Sequence, residues 1–157
     1  MRVPSWPAAA EGGPPPGGVS FFAEGIPFPP ELDIGIATAW LLRVAAGFGR
    51  EVAELTFVLL DDEALLALNV EHLDHDTLTD IITFDLSEGG AIEGECYISL
   101  ERVRDNAQRL GESAHRELHR VLAHGLLHLC GLGDKSAPEA AVMRAAEEGA
   151  LDLLPGR

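Results

Sequence analysis

Apolar and polar positions recur along this chain with two distinct periods, and the switches between them predict a mixed set of strands and helices. Leu32, Ile36, Trp40, Leu41, Val44 and Phe48 keep one helical face, which predicts a helix over 31–48 that ends at Gly49. The apolar run 55–60 predicts a strand, and Asp61-Asp62-Glu63 open a helix over 64–70, because carboxylates stabilise a helix N-terminus. Two further β-rich runs, 79–86 and 91–100, are joined by Ser87-Glu88-Gly89-Gly90, a hairpin-like connection. In the second, Ile92, Gly94, Cys96 and Ile98 alternate with Glu93, Glu95, Tyr97 and Ser99, the period of a strand with two different faces. A short strand at 19–22, a helix over 100–110, a helix from Ser113 and a final helix over 137–153 complete the pattern. Ser113 with Glu117 resembles a capped N-terminus, and Pro138 suits the first turn of the last helix. The elements do not alternate regularly enough for a doubly wound sheet, so the expected class is α+β, a small mixed β-sheet packed with helices. Residues 1–18, rich in Pro, Gly and Ala, predict a disordered tail, and 19–157 a single domain.

Composition narrows the setting. The 157 residues carry a formal charge of −15 and two cysteines. Cys96 and Cys130 are expected to be reduced core residues. The apolar runs are too short to cross a bilayer, and the start of the chain lacks the basic-then-apolar layout of a signal peptide, so a cytoplasmic protein is expected. Such an acid excess argues at first against nucleic acid. Its distribution softens that argument: 51–101 has no Lys or Arg, whereas 102–135 holds Arg102, Arg104, Arg109, Arg116, Arg120 and Lys135 against Asp105, Glu112, Glu117 and Asp134. The arginines fit either a solvated helix face or an RNA-facing patch that includes Arg116 and Arg120.

The candidate chemistry lies in His124-Gly-Leu-Leu-His128-Leu-Cys-Gly131-Leu-Gly-Asp134. Residues four apart share a helix face, so His124 and His128 can offer two imidazoles to one ion. Gly131 and Gly133 are expected to end the helix through left-handed backbone and return Asp134 to the same point. Two nitrogens and one oxygen suit a single Zn²⁺, and three protein ligands leave a position for water, as in catalytic sites. A closed structural site would need a fourth ligand. Cys130, the nearby candidate, points about 200° around the helix from His128. A zinc peptidase of similar spacing needs Glu after the first His as general base, and Gly125 stands there. His115 and His119 are expected at the surface. Glu139, Met143 and Glu147 read as packing and capping residues. Thr79 and Asp80 either line a cleft or anchor a turn by hydrogen bonding.

These residues carry a resemblance. His124-Gly-Leu-Leu-His128-Leu-Cys-Gly131 resembles the His-Gly-x-Leu-His-Leu-x-Gly signature of the YbeY family of bacterial endoribonucleases. Leu68-Asn69, Thr79-Asp80-Ile81-Ile82-Thr83-Phe84 and Gly94-Glu95-Cys96-Tyr97-Ile98-Ser99 are similar to further family segments, in the same order, over roughly 55–145. The resemblance implies an α+β fold with a zinc-bearing cleft at the end of a central helix. It also implies a role in maturing the 3′ end of small-subunit rRNA and in ribosome quality control, with rRNA, the small ribosomal subunit and its proteins or assembly factors as partners, and neither membrane nor DNA. The expected reaction is attack on phosphorus by a metal-activated water or by the RNA's own 2′-hydroxyl. Two departures stand out: Asp134 takes the place of the family's third histidine ligand, and Leu73 that of an arginine thought to aid catalysis, with His72 and His75 as polar candidates nearby. A zinc peptidase and a non-catalytic ribosome-assembly factor remain as alternatives.

Overall fold

A computed structural model of the chain describes residues 18–73 and 79–156, with the side chain of Leu73 outside the description. Of the tail expected at 1–18, all but Gly18 lies outside the described residues, as does His75. The element order is β1 (Val19–Ala23), α1 (Ile34–Gly47), β2 (Val52–Leu60), α2 (Asp62–Leu73), β3 (Ile81–Asp85), β4 (Ile92–Ser99), α3 (Leu100–Leu110), α4 (Ala114–Leu129) and α5 (Ala137–Asp152). The expected α+β class is what forms: one four-stranded mixed sheet of order β1-β2-β4-β3. β1, β2 and β4 run parallel, and β3 turns back antiparallel to β4 at the sheet edge, with Ile81 opposite Ile98 and Asp85 opposite Gly94.

Local chemistry sets the element ends. Asp33, Ser99, Ser113 and Ser136 each cap a helix by accepting a backbone N–H three residues on, satisfying donors the helix itself leaves unpaired. At the start of α5 the arrangement is reciprocal, because Glu139 also returns its carboxylate to the Ser136 N–H.

The sheet is covered on both faces, more fully than the alternation in 91–100 suggests. One face, with Leu55, Phe57, Ile92, Cys96 and Ile98, joins α1, α3, α4 and α5 in the main core. On the other, Val58, Leu60, Ile82, Phe84 and Tyr97 pack with Leu65 of α2. Tyr97 is therefore fully buried, although it falls on the strand face expected to be polar. Helix α1 is tied across the core to α5 by the Trp40 indole N–H, which donates to the Ala150 carbonyl at 2.8 Å. Helix α4 is central, with ten of its residues buried, so most of its circumference is covered.

The approach of α4 to β4 depends on two glycines, one from each element. A Cβ on Gly125 would stand 2.8 Å from the Cys96 Sγ and 3.0 Å from the Ile81 Cδ1. A Cβ on Gly94 would stand 2.8 Å from the Leu129 Cδ1 and 2.9 Å from the Phe84 carbonyl oxygen. Each glycine thus admits a side chain of the facing element, and together they fix α4 along its C-terminal half. Gly125→Ala should destabilise the fold by roughly 1–3 kcal/mol, the usual cost of overpacking, read as a lower urea midpoint at unchanged slope. Adding Cys96→Ala should recover part of that loss, since the new methyl then fills the space left by sulfur. An unchanged midpoint for Gly125→Ala would contradict the close seam.

Candidate metal centre

His124 and His128 lie on the C-terminal half of α4, the part held by the glycine seam. After Leu129 the chain reverses through Gly131, whose φ of 108° is a left-handed backbone that favours glycine. The Gly131 and Leu132 N–H groups cap the last turn on the carbonyls of His128 and Leu127. Gly133 does not share the left-handed backbone expected of it. A Cβ there would lie 3.1 Å from the Glu139 Oε2, a tight contact with the carboxylate that caps α5. The reversal does two things at once. It brings the Leu132 carbonyl to 2.9 Å from the His128 Nδ1, and it brings the Asp134 Oδ2 to 3.3 Å from the His124 Nε2 and 3.4 Å from the His128 Nε2.

The rings stand nearly perpendicular, 85° apart with centroids 4.6 Å apart. Each Nδ1 already has an acceptor: the Leu132 carbonyl for His128 and the Glu147 carboxylate, at 2.6 Å, for His124. A carbonyl or carboxylate can only accept, so each Nδ1 must carry the proton and a neutral ring must present a bare lone pair at Nε2. Two Nε2 lone pairs and a carboxylate oxygen, all within 4.8 Å of one another, are three acceptors facing one point. Without a cation or a proton between them they repel. The donor set and its orientation therefore fit a divalent ion, with Glu147 and Leu132 as the outer partners that fix ligand tautomer and direction.

Electrostatics around the group are one-sided. Burial opposes a charged ring at His124, but the hydrogen bond and charge of Glu147, followed by Asp134 and Asp80, outweigh it and raise its pKa. Burial pushes the Asp80 carboxyl up, against the pull of His124 and of backbone N–H groups. Burial also raises Glu117, although Arg120 works the other way.

A cleft of about 700 Å³ opens between α4 and the start of β3, with His124, His128, Asp134, Thr79, Asp80 and Asn69 among its lining residues. Both readings of Thr79 hold, since its hydroxyl also donates to the Ile81 carbonyl at 3.3 Å. Asp80 shares the cleft wall, and its carbonyl accepts from the Ser99 N–H at 3.0 Å, which ties it to the end of β4. Arg116 and Arg120 are not brought to this cleft. Arg116 pairs with Glu112 and Glu148, while Arg120 is enclosed by Glu112, Glu117, Glu147 and Glu148.

His119 is buried, at 2% exposure, and not at the surface as expected. The reason is the central position of α4: Trp40 of α1 packs edge-on to the His119 ring at 5.4 Å, and its Nδ1 sits 2.6 Å from the His115 carbonyl. Burial lowers its pKa and favours the neutral ring. His115 is half-buried beside it. His72 packs edge-on to Phe84. Glu139 and Met143 do cap and pack as expected. Glu147 does more than pack and cap: its carboxylate accepts from the His124 Nδ1, a role that helical spacing alone does not reveal. The available signal was a carboxylate inside the stripe Met143, Ala146, Ala150, Leu151 and Leu154, where an unpaired charge would be costly.

Comparison with known proteins adds an independent line. The sequence model of a family described as Endoribonuclease YbeY matches residues 36–154. The Endoribonuclease YbeY of Porphyromonas gingivalis is 47% identical over 136 residues, covering 87% of this chain and 89% of the relative. That of Phocaeicola vulgatus is 43% identical over 136 residues, covering 87% and 98%. That of Flavobacterium johnsoniae is 48% identical over 111 residues, covering 71% and 80%. Among solved structures, the solution structure of TM1509 from Thermotoga maritima superposes with a TM-score of 0.62 at 23% identity, over 87% of this chain and 88% of that one, and so shares the fold.

If Glu147 orients His124, Glu147→Gln should weaken binding of a divalent ion by about 10- to 100-fold while leaving the fold intact. Zinc titration against a competing chelator, with circular dichroism as the control, measures this. Equal affinity in the two proteins would show that the outer carboxylate is dispensable.

Proposed function

This chain belongs to the YbeY family, and from that membership and its His–His–Asp group we propose that it is a zinc-dependent endoribonuclease. It cuts single-stranded RNA in the cytoplasm, matures the 3′ end of small-subunit rRNA and takes part in ribosome quality control. Its partners are then the small ribosomal subunit with its proteins and assembly factors. Among the described residues no helix is long and apolar enough to cross a membrane.

The observation that carries the reading is the convergence of the two Nε2 atoms and the Asp134 carboxylate on one point at the cleft. When bound, zinc supplies Lewis acidity toward a phosphoryl oxygen and lowers the pKa of a water. The protein's own groups do the rest. Glu147 and the Leu132 carbonyl hold the two Nδ1 protons, so both rings keep Nε2 directed into the cleft. Thr79 and Asp80 form the wall that an RNA backbone meets opposite the histidines.

Gly125 supports phosphodiester over peptide chemistry. A zinc peptidase places its general base there, and Cys96 and Ile81 crowd this position so closely that a side chain would force its neighbours to shift. Phosphodiester cleavage develops negative charge that a cation can stabilise without a glutamate base.

Asp134→Ala is the direct test. The variant should lose bound zinc and slow cleavage of a single-stranded RNA by more than about 100-fold, while its thermal melt stays cooperative. A folded, zinc-free variant that still restores rRNA maturation in depleted cells would favour a non-enzymatic assembly role.

A further inference from the structure

An RNA entering the cleft meets a wall with three carboxylates, Asp80, Asp85 and Asp134, in a chain whose formal charge is −15. A polyanion needs compensating positive charge from the protein as well as from an ion. The arginines of 102–144 do not line the cleft, although Arg120 and Arg144 line a second pocket that shares Asp80 and His124 with it. Arg102 and Arg109 pair with Asp105, Arg104 with Glu31, Arg144 with Glu147, and Arg116 and Arg120 with the glutamates already named. Arg50 donates to the Gly90 carbonyl and, like Arg43, does not line the cleft. One cation among the described residues does line it: Lys135, the only lysine of the chain.

Lys135 follows Asp134 directly, and its backbone is pinned. Its N–H donates to the Glu139 Oε1 at 3.1 Å, the same oxygen that accepts from the Ser136 N–H. The capping box of α5 thus fixes the Lys135 Cα at the rim beside the three converging acceptors. The side chain is exposed and makes no ion pair within 4.0 Å among the described residues, unlike the arginines of α3, α4 and α5. A fixed stem with an unengaged ammonium suits capture of a phosphate oxygen as a point charge.

We infer that Lys135 is the phosphate-binding residue of this cleft, and that it holds the backbone of single-stranded RNA next to His124, His128 and Asp134. This rests on the nuclease reading given above. One electrostatic contact of this kind weakens binding across sequences alike when it is removed, and it reduces the salt dependence of binding by about one phosphate contact.

The test compares zinc-loaded wild type, Lys135→Ala and Lys135→Arg in two assays across a salt series. The first is binding of a 2′-O-methyl single-stranded RNA by fluorescence anisotropy, and the second is cleavage of the unmodified RNA. Lys135→Ala should weaken binding and raise KM by roughly three- to tenfold with kcat little changed. The slope of log affinity against log salt should fall by about 0.7. Zinc content should be unchanged, and Lys135→Arg should restore both affinity and slope. An alanine variant with wild-type affinity and slope, beside a wild type that binds and cuts, overturns the lysine assignment alone. Loss of zinc from the alanine variant also overturns it, and marks the residue as a support of the Asp134 loop. A wild type that neither binds nor cuts RNA overturns the nuclease reading, and the assignment with it.

Discussion

Two imidazoles one helical turn apart can share an ion only if each turns the same nitrogen toward it. In this protein that requirement is met by hydrogen bonds to the opposite nitrogen, from a helix for His124 and from a turn for His128. Everything around the site serves that orientation. The glycine reversal after α4 supplies the Leu132 carbonyl and the Asp134 carboxylate in one stroke. Helix α5, packed against α4, supplies Glu147. Removing any of these contacts would leave a ring free to turn its Nδ1 to the cleft, and the three acceptors would no longer face one point.

The same helix is asked to do two incompatible things, to lie close to the sheet and to carry a polar cluster. Gly125 and Gly94 resolve the first by letting α4 and β4 interlock at van der Waals distance. The second is resolved by a network of charges on the α4–α5 side, where Arg120 is surrounded by glutamates and Glu147 reaches both Arg120 and His124. A buried carboxylate without such partners would be costly. With them, Glu147 is only 8% exposed and still available to His124. Arg116 and Arg120, which look like an RNA surface in the linear sequence, are therefore engaged in holding two helices together, and among the described residues the cleft is lined by one lysine and no arginine.

How far all this is legible without coordinates follows the range of each interaction. The His124–His128 pair, the turn at Gly131 and the return of Asp134 depend on residues within eleven positions, and helix geometry alone predicts their meeting. The α+β class and most elements follow from hydrophobic period, and the capping serines mark the helix starts. Burial of His119 does not follow, because it depends on Trp40 packing from α1. Nor does the fate of Arg116 and Arg120, whose partner Glu148 lies 32 and 28 residues away. Gly125 is legible as a missing base. That it is also a packing requirement against Cys96 emerges only when β4 and α4 are seen in contact.

The most direct measurement is X-ray absorption at the zinc edge of the metal-loaded chain. The account predicts one ion per chain with two imidazole nitrogens at about 2.0–2.1 Å, carboxylate oxygen beside them and no sulfur. A sulfur shell near 2.3 Å, drawn from Cys130 or Cys96, would contradict the assigned ligand set, as would a spectrum that fits only one imidazole.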